Sequence, residues 1–169
     1  MTKKLFFLFL FSYTLSLLLQ AQDLSLSPIQ GVWKVVEIHQ EFAGKKYDNP
    51  EPQPGLMIFT REYYSMVWMP LDRVQPDNAT IWHPIDTEKI QQFNSIVVNS
   101  GNYTLSDSQL TTFPIVAKTP EFIGGKADYF WKLAQDTLRL EIVNIYSRDG
   151  VLDEESLKFR TTLFLVRIE

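Results

Sequence analysis

The stretch Gly31-Val32-Trp33-Lys34-Val35-Val36-Glu37-Ile38-His39 decides the fold. Its β-branched and aromatic content is that of a strand. A glycine two residues before a tryptophan at the head of the first strand of a small all-β protein suggests that this strand begins at the closed end of a barrel. There the glycine lets the backbone turn tightly and the indole plugs the floor. Gly31 and Trp33 are therefore read as structural residues. Strict alternation places Val35, Glu37 and His39 on the Trp33 face and Lys34, Val36 and Ile38 on the other. The six residues from Trp33 to His39 span roughly 20 Å at about 3.3 Å per residue, the depth of a small barrel. This register puts Glu37 and His39 near the mouth, above an apolar floor.

Upstream of this strand, Lys3 and Lys4 precede the apolar run from Leu5 to Leu19, and Ala21 offers a small residue before Gln22. Residues 1–21 are expected to be a cleaved signal peptide and residues 22–169 a single β-barrel domain. The apolar run is shorter than the roughly 20 residues a membrane helix needs, and Ser12, Tyr13, Thr14 and Ser16 interrupt it. No stable membrane span is expected after cleavage, and the expected location is periplasmic or extracellular. The chain has no cysteine, so a lipid attached to cysteine is ruled out and stability must come from packing. Setting aside Lys3 and Lys4 leaves 14 basic against 20 acidic residues, a net charge of −6. That balance argues against nucleic acid as a partner.

Beyond the first strand, Phe42 to Gly55 carries Gly44 and prolines at 50, 52 and 54. It reads as a loop, with at most a brief edge pairing at Lys45 to Tyr47. Leu56 to Thr60 and Tyr63 to Met69 form a hairpin around Arg61-Glu62. Pro70 to Pro84 is turn-rich. From Asp86 to Val98 the period changes, with Ile90, Phe93 and Val97 on one helical face, and Asn99-Ser100-Gly101 stops that helix. Period two then returns in Tyr103 to Leu105, Leu110 to Val116, Ala127 to Ala134, Thr137 to Tyr146 and Leu157 to Ile168. The fold class is all-β: an eight-stranded antiparallel barrel with one helix between strands 3 and 4, an open sandwich being the competing architecture.

Aromatic and thioether side chains mark a candidate lining. Tyr64, Met66 and Trp68 share one strand face that is consistently large and adaptable. Tyr129 and Trp131 share a face of a later strand. The helix, with Phe93 inward, reads as a lid, a static plug or a side-packed brace at one end. Glu37 and His39 are candidates for orienting a ligand or for acid–base work. The candidate ligand-binding set is thus Val35, Glu37, His39, Tyr64, Met66, Trp68, Phe93, Tyr129 and Trp131. A metal is not expected: His83 is the only other histidine, and Glu37, His39 and Glu41 spread over about 13 Å of strand. The chain has no nucleophile elbow, phosphate loop or dinucleotide fingerprint, so no catalytic residue and no cofactor is assigned.

In order, the pieces Gly31 to Val36, Gln53 to Thr60 with Tyr63 to Met66, Gly101 to Leu105, Pro120 to Gly125 and Asp136 to Leu140 resemble the lipocalin-like domain family. These are small β-barrel proteins related in architecture to lipocalins. Members of that family often carry histidine and arginine where this chain has Thr111-Thr112 and Tyr129-Phe130-Trp131. The resemblance therefore implies the barrel and its apolar lining rather than polar chemistry. Three functional readings follow. The leading one is an exported, non-catalytic protein that holds a small hydrophobic or amphipathic molecule in the barrel. The second is a barrel isomerase or cyclase using Glu37 or His39. The third is an envelope protein acting through an exposed apolar patch. Ligand identity and oligomeric state are not legible.

Overall fold

Strand β1 (Gly31–Phe42) pairs along most of its length with the last strand, and that pairing closes the barrel. The computed structural model describes residues 27–70 and 84–169. The expected signal peptide, His83 and the turn-rich stretch as far as residue 83 lie outside the described residues. After β1 come β2 (Lys45–Asn49), β3 (Leu56–Phe59), β4 (Tyr63–Trp68), α1 (Asp86–Asn94), β5 (Val97–Leu105) and β6 (Gln109–Ala117). A single 3₁₀ turn at Pro120–Phe122 leads to β7 (Lys126–Ala134), β8 (Thr137–Tyr146), the one-turn α2 (Glu154–Leu157) and β9 (Arg160–Arg167). Every pairing is antiparallel, in the order β2-β1-β3-β4-β5-β6-β7-β8-β9, with β1 and β9 joined. Eight strands close the barrel. The second position is shared, since β3 pairs with the first part of β1 and β2 with its last part.

Three sequence expectations are corrected. Lys45–Asn49 is a full strand, so the helix follows the fourth strand rather than the third. The helix ends at Asn94, and Val97 to Gly101 belong to β5, where they pair with β4. Tertiary pairing outweighs the helical period here, because the β-branched pair Val97-Val98 fits a pleated surface. Gly101 then serves a bulge rather than a helix stop: a Cβ there would meet the Phe113 carbonyl oxygen at 2.0 Å. The last strand begins at Arg160, after α2, and not at Leu157.

The register of β1 is the correction with the widest consequence. Val35 faces Leu165 while Glu37 faces Phe164, so Val36 is an extra residue in a β-bulge. Past it the alternation shifts by one. Trp33, Val35 and Ile38 are buried, whereas Glu37 and His39 turn to the outer face. Without the bulge, an ionisable pair would be enclosed and Ile38 left in water. Enclosing an ionised carboxylate costs several kcal/mol; one unpaired residue costs less.

The closed end is built around Trp33. Its Nε1 donates to the Ile29 carbonyl oxygen at 2.7 Å, and the Arg167 guanidinium lies 4.2 Å from the ring centroid. Arg167 also donates to the carbonyl oxygens of Pro28 and Gln30, tying the chain before β1 to the end of β9. Gly31 has φ of +132°, and a Cβ there would sit 2.3 Å from the Glu169 carbonyl oxygen, so only glycine fits. Above Trp33 the core holds Met57, Phe59, Tyr103, Leu110, Leu138, Leu140 and Leu165. On the outside, Glu141 of β8 accepts from Arg139 and from Arg160 of β9. Burial pushes its carboxyl up, but these two guanidinium groups outweigh that and hold it below the usual carboxylate range.

The register makes opposite forecasts for neighbours. Ile38→Ala is expected to destabilise by about 2–4 kcal/mol, and Glu37→Ala by less than about 1 kcal/mol. Urea unfolding of the two variants checks this, and the reverse order would restore the unbulged register.

Candidate functional site

The strand ends opposite Trp33 surround a cavity of about 650 Å³. Its deeper wall is formed by Met66, Asn99, Ala127, Tyr129, Ile142 and Leu163. Nearer the opening lie Gln40, Trp68, Val97, Ala117, Phe122, Ile145, Phe159 and Thr161. The segments after β6 and β8 complete the rim with Lys118, Glu121 and Asp153, none of them buried. The cavity is hollow here because its walls are thin. Ala117, Ala127, Val97 and Thr161 stand where the closed half has Trp33, Phe59, Tyr103 and several leucines, and an eight-stranded barrel is only just wide enough for large side chains to fill it.

Where the packed half meets the hollow half, polar groups converge. Tyr64 on β4 donates its hydroxyl to Asn99 Oδ1 on β5 at 2.7 Å. Asn99 spends its oxygen on that bond, which leaves its NH₂ group to the cavity it lines. The Tyr129 hydroxyl reaches across the barrel to Met66 Sδ at 3.9 Å, a weak acceptor. Thr112 is fully buried beside both phenols, and its hydroxyl donates to the Ala127 carbonyl oxygen at 3.4 Å. Burial pushes the Tyr129 hydroxyl up to about 12, against the opposing pull of Thr112. Tyr64 is pushed up as well, first by burial and then by the nearby Tyr129. Both remain neutral donors through the physiological range. Higher on the wall, Gln40 Nε2 donates to Thr161 Oγ1 at 3.4 Å.

The candidate residues separate into four groups. Met66, Trp68 and Tyr129 line the cavity. Val35 and Tyr64 are buried in the core around it. Trp131 lies toward the closed end, half-buried, with its indole N–H donated to the Ser106 carbonyl oxygen at 2.8 Å. Glu37, His39 and Phe93 lie elsewhere. His39 Nε2 is 2.6 Å from Glu37 Oε1 and its Nδ1 3.3 Å from Asp48 Oδ1 on β2, all on the outer face that the bulge assigns them. Their expected place on the Trp33 face is thereby corrected.

Phe93 is half exposed, and α1 buries no residue among those described. Its ring lies 4.4 Å from Lys118 Nζ, which also donates to the Phe93 carbonyl oxygen at 2.6 Å. Partial burial lowers the pKa of that lysine. The inward Phe93 of a lid or plug is therefore corrected: it packs on a rim residue from outside.

Sequence reasoning missed Asn99, Gln40 and Thr161. Asn99 was read as part of a helix stop, and Gln40 and Thr161 turn inward only because of registers that pairing sets. No group of acidic and histidine side chains able to hold a metal occurs among the described residues.

A comparison with family models matches residues 30–167 to the lipocalin-like domain. No curated protein and no solved structure matches.

The two buried phenols generate an alkaline transition. An unfolded tyrosine ionises near pH 10, whereas Tyr129 in the folded protein holds its proton to about 12. Above pH 10 the unfolded state therefore binds fewer protons than the folded one, and stability falls as pH rises. Stability from Tyr129 is complete below pH 10 and is lost between about 10 and 12. Denaturant unfolding across this range should show the decline, and Tyr129→Phe should flatten it. Ultraviolet difference absorbance should show Tyr64 and Tyr129 ionising only with unfolding.

Proposed function

The chain belongs to the lipocalin-like domain family, and we propose that it is an exported protein that binds a small hydrophobic or amphipathic molecule in the open half of its barrel. The observation that carries this reading is the cavity of about 650 Å³, within the size range of small-molecule sites, with a mostly apolar wall and a few convergent polar groups. Burial of the ligand's apolar surface supplies the driving force, at roughly 25 cal/mol per Å² before ordering costs. Trp68, Phe122, Ile142 and Leu163 provide apolar contact, while Asn99 and Tyr129 orient what enters. Lys3, Lys4, the apolar run from Leu5 to Leu19 and Ala21 support export.

An enzyme using Glu37 and His39 as acid and base inside the barrel loses its pair to the outer face. A surface role has one observation in its favour. The outer face of β3 to β6 exposes Leu56, Ile58, Tyr63, Phe113, Ile115 and Val116. If that face acts in association, sedimentation should show a concentration-dependent complex that Ile115→Ser weakens.

Titration with a polarity-sensitive apolar fluorophore, backed by native mass spectrometry, tests cavity binding. One equivalent should bind with blue-shifted emission. Ala117→Phe, which projects a ring into the cavity from beside Asn99, should weaken binding at least about ten-fold while the melting temperature changes by only a few degrees. Fluorophore binding unaltered by Ala117→Phe would move the site elsewhere.

A further inference from the structure

We propose that the cavity selects a neutral apolar molecule carrying a carbonyl oxygen, held with that oxygen inward between the Asn99 NH₂ and the Tyr129 hydroxyl, and that it rejects the corresponding carboxylate. This deepens the binding reading above and rests on it.

The polar groups at the deep end have unequal needs. Tyr64 is satisfied by Asn99 Oδ1. The Asn99 NH₂ group has no described side-chain or backbone acceptor, although the residue is only 4 % exposed. Tyr129 directs its proton at a thioether 3.9 Å away, a weak acceptor at the long end of the range for sulfur. Two underused donors thus meet at the deep end of the cavity, Tyr129 reaching from β7 to the Met66 side of Asn99. Met66 and Asn99 are direct cross-strand partners, so the sulfur that Tyr129 approaches stands beside the amide. A ligand oxygen placed there gains two donors and asks for none in return. A carbonyl has that character. A hydroxyl would have to find an acceptor for its own proton as well, in competition with Tyr64 for Asn99 Oδ1.

Charge decides against an acid. The charged lining residues, Lys118, Glu121 and Asp153, all belong to the rim, and the deep wall of Met66, Asn99, Ala127, Tyr129, Ile142 and Leu163 contains no cation. A carboxylate carried to that depth would lose its hydration without a counter-ion, which neutral donors only partly offset. Lys118 offers little at the rim, because its ammonium already donates to the Phe93 carbonyl oxygen and lies against that ring. The phenols strengthen the case, since burial keeps them protonated and thus available as donors.

The test uses three probes of one chain length: a medium-chain methyl ketone, the alkane and the carboxylate. Each displaces the apolar fluorophore from wild type and from Tyr129→Phe at neutral pH. Tyr129→Phe removes a hydroxyl whose described hydrogen bond is to a distant sulfur, and a melting curve verifies that the variant is folded. The ketone should bind at least about ten-fold tighter than the carboxylate to wild type. Tyr129→Phe should weaken the ketone about five-fold, as one lost hydrogen bond does, and leave the alkane within about two-fold.

Equal effects of Tyr129→Phe on ketone and alkane, or a carboxylate that binds as tightly as the ketone, would overturn this inference while leaving cavity binding in place. If none of the three displaces the fluorophore, or the fluorophore does not bind at all, the binding reading falls and this one falls with it.

Discussion

Closure of the barrel depends on β1 meeting β9 through one more residue than β9 supplies. Val36 is the surplus, and the bulge it makes lets Val35 and Ile38 both face inward while Glu37 and His39 face water. The bulge also sends Gln40 inward to meet Thr161 on the cavity wall. On the outer side the same shift places His39 between Glu37 and Asp48, so that a side-chain contact joins β2 to the barrel as well as its backbone ladder. β2 needs such a tether. It is short and most of it is exposed, and it has little apolar burial of its own.

The interior is divided by side-chain volume. Toward Trp33, aromatic and leucine side chains fill the space and Arg167 seals it from below. Toward the opposite end, alanine, valine and threonine leave a hollow. The boundary is polar, formed by Tyr64, Asn99, Thr112 and Tyr129, because phenols and an amide can satisfy one another across a barrel where charged groups could not. That layer has two consequences. It stops the packed half with satisfied groups, and it presents its remaining donors upward into the cavity.

Much of the fold was legible because strands announce themselves by composition and turn chemistry. The hairpin at Arg61-Glu62, the joint at Gln135-Asp136 and the glycine at position 31 each act locally, through backbone conformation. The lining was legible only in part. Met66 and Trp68 were found because β4 has an unbroken alternation, and Tyr129 because β7 keeps its own, Ala127 and Tyr129 both facing the cavity while the extra residue of that strand pair, Val143, lies on β8. Asn99 was not found, since the local pattern Val97-Val98-Asn99-Ser100-Gly101 reads equally as the end of a helix, and only pairing with β4 and β6 makes it a strand. Glu37 and His39 were placed on the wrong face for a similar reason: a bulge leaves no mark in composition.

By itself, then, the sequence determined an antiparallel barrel with its closed end at Gly31 and Trp33, without cysteine and with an acidic balance, because periodicity, turn residues and charge are local quantities. The tertiary structure alone decided which side chains face the interior, where the barrel is filled and where it is hollow, and that Phe93 packs on the rim instead of the cavity. Those outcomes depend on inter-strand register. A shift of a single residue exchanges the two faces of a strand, and the pairing that sets it lies in a partner strand more than a hundred residues away in the case of β1 and β9.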